Sequence, residues 1–215
     1  IYYECMQTEK IKYTMPFALR FESSIDPNKL KDAVIKTVEA HPYLKTRIIN
    51  TADGKVLQKR CDDAEIEEIE IVEIDSITNK EIMDRDIKPI PLDNNQLFRF
   101  KIYKTPTETI LFVDFHHIIT DGVSQGIFFN DLTKAYNNEE IESEIINGFE
   151  YSLIEEKTSV SEVSEKFFKK QFGQDIESTV LTPNMNGNPD IGNIKLVSDQ
   201  ISSNFVRLFC KDHSI

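Results

Sequence analysis

Cysteine is scarce in this chain, and basic charge is in deficit. Cys5, Cys61 and Cys210 are the only three cysteines; they are widely spaced and form no Cys-x-x-Cys pair, which excludes a disulfide framework and a zinc ribbon. A reduced, cytoplasmic setting is expected. No apolar run approaches the roughly 20 residues that a membrane-spanning helix needs, and the amino terminus carries no signal-peptide pattern. With 25 Lys and Arg against 37 Asp and Glu, the net charge is -12, which argues against nucleic acid or an anionic membrane as the main partner. The chain also lacks internal repeats, low-complexity tracts and a Gly-x-Ser-x-Gly nucleophile elbow.

What is present is enough for one substantial core: 215 residues, 40% of them hydrophobic. Strict alternation of Phe17, Leu19 and Phe21 predicts a strand over 14–23. Asp26 and Pro27 then open a predicted helix, whose stripe of Leu30, Ala33, Val34, Thr37 and Val38 stops before His41-Pro42. Residues 44–50 predict a strand, and Asp53-Gly54 a hairpin turn into a second strand over 55–61. Eight acidic residues and no basic one lie between Asp62 and Asp75, around Ile69, Ile71 and Ile74; this reads as a short edge strand protected by charge.

A short helix is predicted over 78–88, ended by Pro89-Ile90-Pro91. Two strands follow, over 97–104 and 109–116, and then a helix with Ile127, Phe128, Leu132, Ala135 and Tyr136 at helical spacing, broken at Asn137-Asn138. Residues 149–156 are ambiguous, whereas Val160, Val163, Phe167, Phe168 and Phe172 form a helical stripe over 160–172. The Pro-, Asn- and Gly-rich residues 182–193 read as a loop or linker, with a strand at 195–197 and a helix at 202–212 beyond it. Mixed strands and helices without regular alternation predict an α+β fold, an α/β sandwich with flanking helices.

The candidate site is the corner between the strand ending at His116 and the helix capped by Asp121, where strand-loop-helix junctions commonly hold ligands. A neutral imidazole can accept a proton at cellular pH, as an amine nucleophile requires when it attacks an ester or thioester. His117 is the candidate for that task. On an extended strand it shares a face with Val113 and Phe115, whereas His116 shares the other with Phe112 and Asp114 and reads as a satisfied core histidine. The helix's first amides are expected to point back toward the corner and favour an oxyanion, and Gly122 lets a backbone come close. Asp121 fits a metal ligand, a triad orienter, a helix cap or one half of a salt bridge. A zinc site lacks a third and fourth ligand, because His41 and His213 stand alone in the sequence. Ser124 reads as an early-helix polar residue, and His41 as a charge complement to the end of its helix.

His116-His117-Ile118-Ile119-Thr120-Asp121-Gly122, followed by Val123, Ser124, Asp131, Leu132 and Tyr136, resembles the His-His-x-x-x-Asp-Gly segment of non-ribosomal peptide synthetase condensation domains. Three further stretches are similar to that family: 41–47, with Pro42 and Lys45 in place of Glu and Arg; Pro91-Leu92-Asp93 before Leu97-Phe98-Arg99; and Ile1-Tyr2-Tyr3, resembling the tail of its opening motif. The resemblance implies a chloramphenicol-acetyltransferase-like fold, with an amino-terminal lobe over 1–181, a linker over 182–193 and the start of a second lobe over 194–215. It also implies amide-bond formation between an acyl donor and an amine acceptor, each on the 4'-phosphopantetheine arm of a peptidyl carrier protein, with an adenylation domain in the same parent chain and no cofactor or metal bound by the domain itself. The second histidine, His117, would act as base, positioner or stabiliser of the tetrahedral intermediate, and Asp121 would pair with a cation. Lys45 aligns with the family's Arg, but Arg47 is preferred because its fork binds a carboxylate with two hydrogen bonds. An epimerisation domain, a stand-alone CoA-dependent acyltransferase and a carrier-docking module without turnover are the alternatives. With half of a two-lobed cleft missing, the isolated chain is expected to be inactive.

Overall fold

A computed structural model describes residues 1–7, 11–142, 146–157 and 162–172. The chain divides into two compact units, Ile1–Ser159 and Val160–Ile215. Within the first, a short helix α1 (Tyr2–Gln7) precedes strand β1 (Thr14–Glu22) and helix α2 (Pro27–Ala40). A 3-10 turn (Pro42–Lys45) leads to the hairpin β2 (Arg47–Asn50) and β3 (Val56–Lys59), followed by β4 (Glu70–Glu73) and α3 (Asn79–Asp86). Strands β5 (Phe98–Lys104) and β6 (Glu108–His116) then run into α4 (Gly122–Tyr136), and α5 (Gly148–Lys157) closes the described part of this unit. Helix α6 (Glu162–Phe172) belongs to the second unit. The expected linker at 182–193 and the elements beyond it lie outside the described residues.

The main sheet has the order β1-β6-β5-β4. β6 is antiparallel to both β1 and β5, whereas β4 runs parallel to β5, so the sheet is mixed. β6 is buried on both faces, which explains its apolar run from Ile110 to Val113. Leu111, Val113 and Phe115 pack with Leu30, Val34 and Val38 of α2 and Phe128, Leu132 and Ala135 of α4. Ile110 and Phe112, one residue out of phase, pack with Tyr103 and with Ile82 of α3 on the other side. Helices thus cover both faces of the sheet, as the α+β reading expects.

Local signals account for the element ends. Asp26 accepts hydrogen bonds from the amides of Asn28 and Lys29 and so caps α2. Thr78 and Glu81 form a capping box at α3. Gly54 turns the β2–β3 hairpin at φ 81°, a backbone state that disfavours side chains. The acidic β4 lies at the sheet edge, where Glu70 pairs with Lys101 of β5 at 2.8 Å. The ambiguous stretch after Asn147 is helix α5, and a side chain at its first residue, Gly148, would strike the ring of Tyr43, 2.4 Å away.

One expected strand differs. Residues 42–45 form a 3-10 turn instead of the start of β2, because Pro42 opens it and the amides of Leu44 and Thr46 donate back to the carbonyls of His41 and Tyr43. Lys45 and Arg47 therefore do not share a strand face.

Candidate active site

β6 ends at His116, so one histidine is its last paired residue and the other follows it out of the strand. His116 is 1% exposed, stacks near Tyr13 and accepts the Ile118 amide at Nδ1 over 3.0 Å. Its proton therefore sits on Nε2, which lies 3.7 Å from the buried Sγ of Cys5. Burial foremost, and then His117 and the chain's amino terminus, push the His116 pKa down to about 4, so the ring is neutral.

His117 leaves the strand. Its amide still donates to Tyr13 O at 2.7 Å, but a turn closed by Ile119 N to His116 O at 3.1 Å carries its side chain outward. The ring is exposed and does not join Val113 and Phe115, the face an extended strand would have given it. Nδ1 lies 2.9 Å from Thr120 O; since a carbonyl can only accept, Nδ1 carries the proton and Nε2 keeps its lone pair.

Asp121 caps α4. Its Oδ1 accepts from both the amide and the hydroxyl of Ser124, at 2.8 and 2.7 Å, and the first of these bonds leads in holding the carboxyl below its usual range. The expected ion pair is not formed: among the described residues neither Arg47 nor Lys45 reaches Asp121. The 3-10 turn buries Lys45, whose Nζ binds Glu39 at 2.7 Å and Asp62 O at 2.8 Å. Arg47 stands across from Lys59 in the hairpin, and its Nη1 is buried without a hydrogen-bond partner. Of the first-turn amides of α4, the Asp121 carboxylate takes that of Ser124. Gly122 opens the helix, and a side chain there would meet nothing within 4 Å; packing within this chain does not require glycine at that position.

Two polar groups buried around this corner escaped the sequence reading. His41, which ends α2, is 7% exposed, and its Nε2 lies 3.0 Å from Oδ2 of Asp131, itself 6% exposed. Lys134 donates to the other oxygen of Asp131 at 2.8 Å. Burial would raise the Asp131 pKa, but the hydrogen bonds from Lys134 and His41 outweigh it and hold the carboxyl low. A signal existed: Asp131 lies between Phe128 and Leu132 on the apolar stripe of α4, where a carboxylate needs a partner. The second group is Asp114, 0% exposed, with neither oxygen hydrogen-bonded in normal geometry and Arg99 Nε 3.5 Å away. Burial pushes its pKa up to about 6 against the pull of Arg99 and the Met15 amide.

Among the described residues no group of three or more His, Cys, Asp and Glu side chains could hold a metal ion, and no helix is long and apolar enough to cross a membrane.

A mixed sheet flanked by helices, with a histidine turned out where its central strand meets a capped helix, fits the chloramphenicol-acetyltransferase-like fold. The condensation-domain family profile matches residues 1–213, and the chain belongs to that family. It is 30% identical over 162 residues to surfactin synthase subunit 1 of Bacillus subtilis (strain 168), an alignment covering 75% of this chain and 4% of that protein. With bacitracin synthase 1 of Bacillus licheniformis it shares 34% identity over 146 residues, covering 62% of this chain and 3% of the relative. The chain thus spans only a few per cent of the length of these curated relatives. Its fold is similar to the starter condensation domain of rhizomide synthetase RzmA, with TM-score 0.69, 14% identity, and coverage of 82% of this chain and 46% of that one. The first condensation domain of the CDA synthetase gives TM-score 0.61 at 18% identity, covering 84% and 50%.

Proposed function

We propose that this chain supplies the histidine-bearing half of a site for amide-bond formation, with His117 as the group that handles the proton. The observation that carries the reading is the Nδ1–H to Thr120 O hydrogen bond, which fixes the ring and leaves the Nε2 lone pair available on an exposed side chain. An amine nitrogen attacks a thioester carbonyl, the C–N bond forms, and Nε2 receives the proton the nitrogen must lose. The C–S bond then breaks, and the proton passes to the departing sulfur. The two substrates would arrive on the 4'-phosphopantetheine arms of donor and acceptor peptidyl carrier proteins, loaded by an adenylation domain of the same parent chain. Membership of the condensation-domain family supports each of these assignments.

The other motif residues serve this ring. Asp121 holds Ser124 and so fixes the start of α4, which sets where Thr120 O lies. Gly122 leaves space beside it. Lys45 and Arg47 are assigned to the hairpin side of the lobe, away from the reaction.

In the intact parent synthetase, His117→Ala is expected to lower turnover by about two to four orders of magnitude, the usual range for a positioned general base. The deficit is expected to shrink with weakly basic acceptor amines, which are already neutral at the assay pH. A deficit that stays constant across acceptors would assign His117 to positioning instead. Undiminished turnover by a folded His117→Ala parent would refute the reading.

A further inference from the structure

Cys5 of α1 and His116 of β6 meet inside the molecule. The thiol residue is 5% exposed and the histidine 1%, and Sγ lies 3.7 Å from Nε2 although 111 positions separate them in sequence. A thiol beside an imidazole can be a nucleophile with its base. Here it is not: burial foremost raises the pKa of the thiol and burial foremost lowers that of the ring, so both stay neutral, and both are closed to a substrate.

Counting donors and acceptors gives the pair a different task. At Nδ1 the His116 ring accepts the Ile118 amide over 3.0 Å, which requires its proton on Nε2. The other tautomer would set donor against donor at that amide. A proton on Nε2 of a buried ring needs an acceptor, and among the described residues the Cys5 sulfur is the group that Nε2 meets.

The Ile118 amide belongs to the turn that carries His117 outward. That turn is closed by Ile119 N donating to His116 O at 3.1 Å, and at its far end Thr120 O takes the Nδ1 proton of His117 at 2.9 Å. Tyr13, the residue before β1, holds its near end: the carbonyl accepts the His117 amide at 2.7 Å, and the ring stacks with that of His116. The amino-terminal segment thus grips the turn at two points, the Tyr13 carbonyl and the Cys5 sulfur.

We propose that Cys5 is a positioning residue for His117: by accepting the Nε2 proton of His116 it fixes the tautomer that receives the Ile118 amide, and with it the turn that carries the base. The proposal rests on the reading that His117 handles the proton in amide-bond formation. Cys5 meets no substrate and acts through the His116 ring.

The test compares Cys5→Ala with Cys5→Ser, which lose similar volume but differ in whether an acceptor remains. In the unsubstituted 215-residue chain, the Nε2 proton of His116 is expected to show a nuclear Overhauser contact with the β protons of Cys5, and its absence would overturn the proposal before any substitution is made. Cys5→Ala is expected to turn His116 into a mixture of tautomers and to speed exchange of the Ile118 amide about tenfold, the loss of one buried hydrogen bond. Cys5→Ser is expected to keep the proton on Nε2 and to hold that exchange within about threefold of the unsubstituted chain. In the parent synthetase, Cys5→Ala is expected to lower kcat about tenfold with KM unchanged, and Cys5→Ser to restore it. Equal loss of melting temperature in both variants with the His116 tautomer unchanged, or an unchanged kcat in a Cys5→Ala parent whose tautomer has shifted, would overturn the proposal. The NMR arms read the chain itself and so stand apart from His117→Ala: full turnover in that parent refutes the reading of the site, whereas an unshifted tautomer in Cys5→Ala refutes the role of Cys5.

Discussion

Two sets of polar side chains surround the end of β6, and they are held in opposite ways. Asp114, His116 and the His41–Asp131 pair are inside, where water cannot pay for their charge or their hydrogen bonds. His117 and Asp121 are outside, held by short local bonds to Thr120 and Ser124. The change from one set to the other takes a single residue, because the strand stops at His116 and a turn carries His117 away. Buried polar groups at such a place set how stable the fold is and at what pH; on the reading proposed above, the exposed ones take part in the chemistry. Substitutions of the inner set should therefore act on stability, and those of the outer set mainly on turnover.

The largest effect on stability is expected at Asp131. Asp131→Ala leaves His41 and Lys134 without their carboxylate and should cost about 3–5 kcal/mol, the usual penalty for removing one partner of a buried ion pair. His41→Ala combined with Asp131→Ala should cost clearly less than the sum of the two single changes, since both remove the same contact. Denaturant unfolding of the three variants measures this, and additive losses would break the inside half of the comparison.

Next come the two buried titrating groups of β6, whose effects oppose each other. Asp114 has a folded-state pKa raised to about 6, so the native state holds its proton more tightly than the unfolded chain does. Its contribution is most favourable below about pH 4 and is lost as pH rises through 6. His116, lowered to about 4, behaves in reverse: its buried neutral ring costs nothing above about pH 6.5 and destabilises the fold as pH falls toward 4. Each is worth on the order of 3 kcal/mol at the unfavourable end of its range. The stability of Asp114→Asn relative to the unsubstituted chain should thus improve between pH 4 and pH 6, and that of His116→Asn should worsen over the same interval. Difference curves of the same sign would contradict the assignment of both groups to the interior.

The exposed set is expected to contribute least to stability. Asp121→Ala removes a helix cap and should cost about 1 kcal/mol. Combined with Arg47→Ala it should be additive within about 0.5 kcal/mol, because the two side chains do not meet. A coupling energy of several kcal/mol between them would restore the ion pair that the geometry denies.

Most of the fold was legible because β6 shows a run of branched and aromatic residues, β1 alternates, and α2 and α4 carry helical stripes and Asp caps. The acidic edge strand was legible from its charge. The 3-10 turn after His41 was not, since Tyr43, Leu44 and Thr46 suit a strand as well as a turn and only Pro42 argued otherwise. That one misreading displaced Lys45 and Arg47, whereas the expected pair with Asp121 came from the resemblance to the family. The corner itself was readable from its residues, but the outward path of His117 was not, because alternation predicts side-chain faces only while the strand continues. Asp131 meeting His41 needed tertiary structure: 90 residues separate them, and nothing local in the sequence joins the two.

The central claim is that neighbouring histidines hold opposite tautomers in opposite surroundings, His116 inside with its proton on Nε2 and His117 outside with its proton on Nδ1. Long-range proton–nitrogen NMR of the ring nitrogens, followed from pH 8 down to pH 5, measures both at once. The account predicts that at pH 8 His117 shows protonated Nδ1 and bare Nε2, and that His116 keeps a neutral ring with protonated Nε2 down to pH 5. A His116 ring that gains its second proton near pH 6.5, or a His117 ring with the proton on Nε2 at pH 8, would contradict it.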